Sequence, residues 1–263
     1  ARLAVGDGPR LRHRKRQGAR ARVENGEIVA EPVHLAQAYG CCIAHYQPYM
    51  GIAAPPQLHR ACAPTTLPAM MNGGNGSEDL QRKHRAANPS PWVERFLSGV
   101  RPGGTILDVA CGAGRHLRLA LEKGFSVTGI DRDLSRVEDI AGRNDVGLIE
   151  ADLETGQGFP LKDMRYDAVI VTNYLWRPIL PEIVGCVAED GILVYETFAL
   201  GQEKRGKPSN PDFLLRPNEL LEAAAPRLAV VAYEHGVSGG DVMQRIAACG
   251  PEHPWAKDGP LEL

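Results

Sequence analysis

The stretch "ILDVACGAGRH", residues 106–116, decides the fold. It begins as an apolar strand, sets an acid, Asp108, inside that run, and leaves through two glycines, Gly112 and Gly114. A strand that only filled a core would carry neither the acid nor the glycines. Glycine reaches backbone angles closed to other residues and lets a ligand lie against the main chain. Directly after, "GRHLRLALEKG" reads as a helix, with Leu117, Leu119, Ala120 and Leu121 apolar and Gly124 as its stop. Strand, glycine loop and helix together aim unpaired N–H donors and the positive end of a helix at one spot, which suits a phosphate or a carboxylate equally.

Working outward, short apolar runs rich in β-branched residues recur: "SVTGID" (126–131), "VGLIEAD" (146–152), "YDAVIVTN" (166–173) and "GILVYETF" (191–198). Each has the length of a buried strand. Helical patterns separate them, including "DLSRVEDIAGR" with Asp133 as N-cap and "RPNELLEAAAP" stopped by Pro226. Alternation of this kind predicts a parallel sheet covered on both faces. "LAVVAYEHGV" and "DVMQRIAAC" predict two adjacent final strands.

Upstream the character changes. Residues 2–22 hold eight Arg or Lys against one acid, Asp7, and residues 31–71 lack periodicity and are broken by prolines. "NGGNGS" (72–77) has linker composition. Residues 1–77 are therefore expected to form a basic, Pro-rich extension with little fixed structure, and residues 78–263 the folded domain. The first residue is Ala, and "MMNGG" at Met70 reads as a natural start, so residues 1–69 are expected to be dispensable. The basic arm suits nucleic acid or organelle targeting, but without interleaved aromatics it reads as a solvated tail. Cys42, His45, His59 and Cys62 form a loosely finger-like set, in an unusual ligand order with prolines between, and are read as chance.

With 263 residues, 43% apolar, 24% charged and a net charge of −2, the chain has ordinary globular composition. No apolar run approaches the roughly 18 residues that cross a bilayer. Six scattered cysteines without a signal-peptide pattern predict a reducing, cytoplasmic setting.

In open parallel sheets, ligands bind beyond the carboxyl ends of the strands, where strand order reverses. Three acids fall there: Asp108, Asp131 at the end of "SVTGID" and Asp152 at the end of "IEAD". Asp131 is placed to accept two ribose hydroxyls. A nicotinamide fingerprint would need glycine at 117, where Leu117 stands, and no Gly-Lys-Ser/Thr marks a P-loop. Three acids suit a ligand with a positive centre, a ribose and an amino-bearing base.

"ILDVACGAG", "GIDRD" and "EADLE" resemble the first three motifs of the class I S-adenosylmethionine-dependent methyltransferases, over residues 78–263. The resemblance implies a seven-stranded Rossmann-like α/β sandwich whose mostly parallel sheet closes on a C-terminal antiparallel hairpin, with S-adenosylmethionine as cofactor. It implies Asp108 by the methionine end, with the backbone of Ala110, Cys111, Gly112 and Gly114 along the methionine and ribose. Asp131 takes the ribose hydroxyls, Asp152 the adenine amino group, Leu153 packs on the ring and Asn173 lines the cofactor. Acceptor-side groups follow the fourth and fifth strands. Tyr174 and Glu196 are the candidate catalytic residues, and Tyr174, Arg177, Glu196 and Trp92 the candidate substrate contacts. Asn173 and Tyr174 also read as cofactor lining and packing ring, and Glu196 as a structural acid. The polar loop 201–217 is expected to form an acceptor-side wall. No metal constellation stands in the domain. "NYLWRP" and "YETF" are similar to bacterial small-molecule methyltransferases of the tellurite-resistance type. A small-molecule acceptor is expected, with RNA or protein as rival, a silent cofactor-binding module as a second, and a monomer or dimer.

Overall fold

The computed structural model describes residues 19–24, 27–30 and 88–258. In chain order its strands are β1 (Ala19–Glu24), β2 (Glu27–Ala30), β3 (Thr105–Val109), β4 (Ser126–Asp131), β5 (Val146–Glu150), β6 (Tyr166–Thr172), β7 (Val187–Phe198), β8 (Ala229–Ser238) and β9 (Asp241–Cys249). They form one sheet in the order β2-β1-β5-β4-β3-β6-β7-β9-β8. Strands β5, β4, β3, β6 and β7 are parallel, and β9 pairs antiparallel with both β7 and β8. The expected seven strands are thus β3 to β9, with the hairpin at one edge. Strand order reverses at β3, because the chain builds β4 and β5 on one side and then crosses to β6 and β7 on the other.

The helices are α1 (Pro91–Phe96), α2 (Arg115–Glu122), α3 (Leu180–Gly185), α4 (Glu219–Ala224) and α5 (Pro254–Lys257). Alternation along β3 divides its side chains between two cores. Leu107 and Val109 join a cluster with Ile183, Val184 and Leu220 of α3 and α4. Ile106 joins a cluster with Trp92, Phe96 and Leu117 of α1 and α2. Each layer therefore covers one face, as a sheet apolar on both sides requires.

"DLSRVEDIAGR" departs from expectation. It forms a 3-10 helix over Ser135–Ile140, and Asp133 Oδ1 accepts from Ser135 N at 2.9 Å. The buried residues Leu134, Val137 and Ile140 recur every third position, which matches three residues per turn.

The expectation for residues 1–77 is corrected at 19–24 and 27–30. β1 pairs parallel with β5 and antiparallel with β2, extending the sheet to nine strands among the described residues. Ala21 and Val23 pack against the α3–α4 core, so the hairpin has an apolar face after all. Four residues of alternation in a basic context were too short a signal to read. Residues 31–87, with the Cys42, His45, His59 and Cys62 set, lie outside the described residues, as do residues 1–18.

Candidate active site at the strand ends

Two adjacent strands leave the sheet through the same uncommon conformation. Ala110 follows β3 with φ 54°, and Asn173 follows β6 with φ 55°. Neither is glycine, and left-handed backbone at such positions costs about 1–2 kcal/mol. Held strain of this kind gathers at ligand sites. Here it turns both chains sharply away from the sheet at the point where strand order reverses. Asn173 N donates to Glu196 O at 3.0 Å, which fixes the second turn.

Asp108 occupies a position that alternation along β3 assigns to the α1–α2 core. It is 1% exposed, and its Oδ2 has no hydrogen-bond partner. Burial pushes its carboxyl up to about 8, with Arg115 opposing and Asp131 adding to the rise. A buried acceptor without a donor costs free energy that a cationic or N–H ligand would recover. Cys111 is buried beside it, and burial drives its thiol well above the ordinary range, so it packs and stays protonated.

The glycine loop is held by acids and by a cation. Asp131 accepts from Gly112 N at 2.8 Å and from Asp133 N at 3.0 Å. Gly112 has φ 56° and Gly114 φ 71°, and a Cβ on Gly114 would stand 2.5 Å from Val137 Cγ1. From α2, Arg118 reaches back to Ala113 O and to Asp139, tying the loop to the 3-10 turn.

A cavity of about 320 Å³ opens over this edge, lined by Ala110, Asp131, Arg132, Ala151, Asp152, Leu153, Glu154, Tyr174 and Phe213. Leu153 is buried, and Asp152 is exposed at the rim with Oδ1 accepting from Glu154 N at 2.9 Å. Tyr174 lies half-buried with an unpartnered hydroxyl, and burial followed by the nearby acids raises it above its usual range. Its carbonyl accepts from Tyr195 Oη at 2.8 Å.

A family profile described as "Methyltransferase domain" matches residues 106–191, the span from β3 into β7 that carries all three acids. Over those residues the chain is similar to a methyltransferase domain. YqeM of Bacillus subtilis, named as a methyltransferase, is 33% identical over 93 residues, covering 32% of this chain and 36% of YqeM. Cycloartenol-C-24-methyltransferase 1 of rice is 33% identical over 122 residues, covering 41% of this chain and 32% of the rice enzyme. The chain thus spans about a third of the length of these curated relatives. A TehB-like S-adenosylmethionine-dependent methyltransferase of Corynebacterium glutamicum has 18% identity and a TM-score of 0.47, with 67% of this chain and 96% of that one covered.

Three residues expected on the acceptor side are engaged with the protein's own groups. Trp92 is 5% exposed, donates Nε1 to Ile246 O at 3.2 Å and meets Phe96 edge-on at 4.8 Å, so it is core. Glu196 is buried on β7 and faces Arg245 of β9 at 3.3 Å; Arg245 also lies 3.6 Å from Glu234 of β8. Register places these three side by side across the sheet, so the charge of Glu196 is matched there. Arg177 makes a bidentate pair with Glu219 at 2.7 and 3.0 Å and reaches two loop carbonyls. Burial opposes ionisation of Glu219, but the bonds from Arg177 and Arg216 outweigh it and hold its carboxyl below the usual range.

Sequence reasoning missed three residues. His116 is 2% exposed and is pushed down to about 3 by burial and then by Arg115; its Nε2 accepts from Ser90 N at 3.1 Å. Ser90 caps α1 through Trp92 N, so His116 joins the first turn of α2 to α1. Arg118 and Phe213 complete the set. None carries a local pattern, since each acts on a neighbour distant in sequence.

Proposed function

We propose that this protein transfers a methyl group from S-adenosylmethionine to a small-molecule acceptor. The observation that carries the reading is Asp108: a fully buried carboxyl oxygen with no partner, beside a strained turn and two glycines of positive φ. An amino group of the cofactor would supply the missing donor. Asp131 would take the ribose hydroxyls with the lone pairs left over from Gly112 and Asp133, and Asp152 with Leu153 would receive the adenine. The backbone from Ala110 through Cys111, Gly112 and Gly114 would run along the methionine and ribose, with Asn173 beside it.

Bound there, the cofactor supplies a methyl group on a sulfonium, open to in-line displacement. The protein aligns the nucleophile and excludes water. Tyr174, at the exit of β6 with a free buried hydroxyl, is the group proposed to face the acceptor.

One observation favours a small acceptor. Residues 88–258 carry 18 Lys and Arg against 25 Asp and Glu, a net charge of −7, which repels a polyanion. No described helix is long and apolar enough to cross a membrane. With cysteines buried and free at 111, 186 and 249, the reading extends to a reducing, cytoplasmic setting.

The test is release of S-adenosylhomocysteine across thiols, amines, carboxylates, chalcogen oxyanions and RNA. Release with one of the small acceptors is expected. Release with RNA alone would overturn the acceptor class, and tight cofactor binding without release from any acceptor would indicate a silent binding module.

A further inference from the structure

The loop from Gly201 to Pro217 sends one aromatic side chain, Phe213, into the cavity beside Ala110, Leu153 and Tyr174. Phe213 is half-buried and belongs to neither core cluster, so its ring does not serve the fold. Yet its backbone is among the most restrained in the loop. Arg177 Nη1 donates to Asp212 O at 2.6 Å and Nη2 to Leu214 O at 2.8 Å, the carbonyls on either side of Phe213. The same guanidinium pairs with Glu219, which also accepts from Arg216 N at 2.8 Å. Phe213 N donates to Asn210 O at 3.1 Å, and Leu215 N to Phe198 O at 2.9 Å, which returns the loop to the end of β7.

A planar five-donor fork grips a carboxylate and two carbonyls at once, which a lysine ammonium cannot reproduce. So much bonding around one half-exposed ring needs a ligand to explain it. Asp131 and Asp152, the acids read for the nucleoside, line the same cavity as the ring. We propose that Phe213 is the aromatic wall of the nucleoside pocket, sharing it with the aliphatic Leu153, and that Arg177 is the positioning residue that holds it there. An aromatic face on a purine adds stacking to whatever Asp131 and Asp152 contribute. The inference rests on the cofactor reading above and extends the binding site to a loop outside the three motifs.

Calorimetry with S-adenosylhomocysteine tests it on the full chain. Phe213→Ala should raise Kd roughly tenfold or more with little change in melting temperature, and Phe213→Tyr should restore binding. Arg177→Lys should also raise Kd, and Phe213→Ala added to it should cost little more, since the ring is already displaced. A role confined to stability would instead lower the melting temperature of Arg177→Lys and leave Kd unchanged. Parent-like affinity in Phe213→Ala, where the parent binds, overturns this inference alone. A parent that binds no S-adenosylhomocysteine overturns the cofactor reading and this inference with it.

Discussion

Asp108 is costly to the fold, and the proposed function gives that cost a purpose. Its carboxyl titrates near pH 8 in the folded protein against 3.8 ordinarily, so the folded state holds a proton that the unfolded chain has lost across that window. Stability should therefore fall as pH rises from about 4 to 8. Asp108→Asn lacks that slope: its melting temperature should exceed the parent's at pH 8, with the gap closing toward pH 4. A parallel pair of melting curves that never diverge would contradict the burial argument. If an ammonium takes the place of that proton, calorimetry at pH 7 in buffers of unlike ionisation enthalpy should record proton release on S-adenosylhomocysteine binding, absent in Asp108→Asn. Asp131 holds the glycine loop and is proposed to take the ribose as well, so Asp131→Ala should weaken binding by at least tenfold, about 1.4 kcal/mol. Asp131→Asn keeps an acceptor for Gly112 N and should lose less. Both acids were legible as residues in an apolar context. The bonds Asp131 makes to its own loop were not, because they depend on how β3 and β4 align.

At the level of elements, the glycine loop separates fold from binding. An alanine at Gly114 would meet Val137 Cγ1 at 2.5 Å and Arg118 Nη1 at 2.9 Å in a left-handed backbone. Gly114→Ala should cost about 2 kcal/mol, or roughly 4–8 °C in melting temperature. Gly112 has open space around its Cβ, with Arg136 Nη2 nearest at 3.8 Å. Gly112→Ala should therefore destabilise less while obstructing the ligand, so that binding falls more than stability. Equal losses in both variants would sink this division. On the facing element, Tyr174→Phe removes a buried hydroxyl with no partner and should melt at or above the parent temperature. Reduced turnover at undiminished stability would then mark its hydroxyl as an acceptor contact. The strands and α2 were plain from apolar runs and a glycine stop. The 3-10 turn at 135–140 was not, since threefold spacing over so short a stretch also fits an α-helix.

For the molecule as a whole, the β1–β2 hairpin changes what the domain requires. It covers the outer edge of β5, the strand that leads to Asp152, and buries parts of Ala21 and Val23. A chain lacking residues 1–30 should lose about 1–2 kcal/mol from those two side chains, roughly 3–6 °C. Hydrogen exchange should quicken at the β5 amides that face β1. Unchanged melting and unchanged exchange would return the hairpin to the status of a dispensable extension. The Arg20–Glu138 pair at 3.2 Å is exposed and adds little.

What the sequence determined by itself was the parallel sheet, its reversal at β3 and the acids over its edge, because buried strands and strand-end loops are written in local runs of residue type. Trp92, Arg177 and Glu196 look the same in sequence whether they face a ligand or the protein. The fold decided that they face Ile246, Glu219 and Arg245. It also brought Phe213 and Leu153 to one cavity, and drew Ala19–Glu24 onto β5. Those choices belong to packing between segments far apart in the chain, where a side chain's partner, more than its own chemistry, settles what it does.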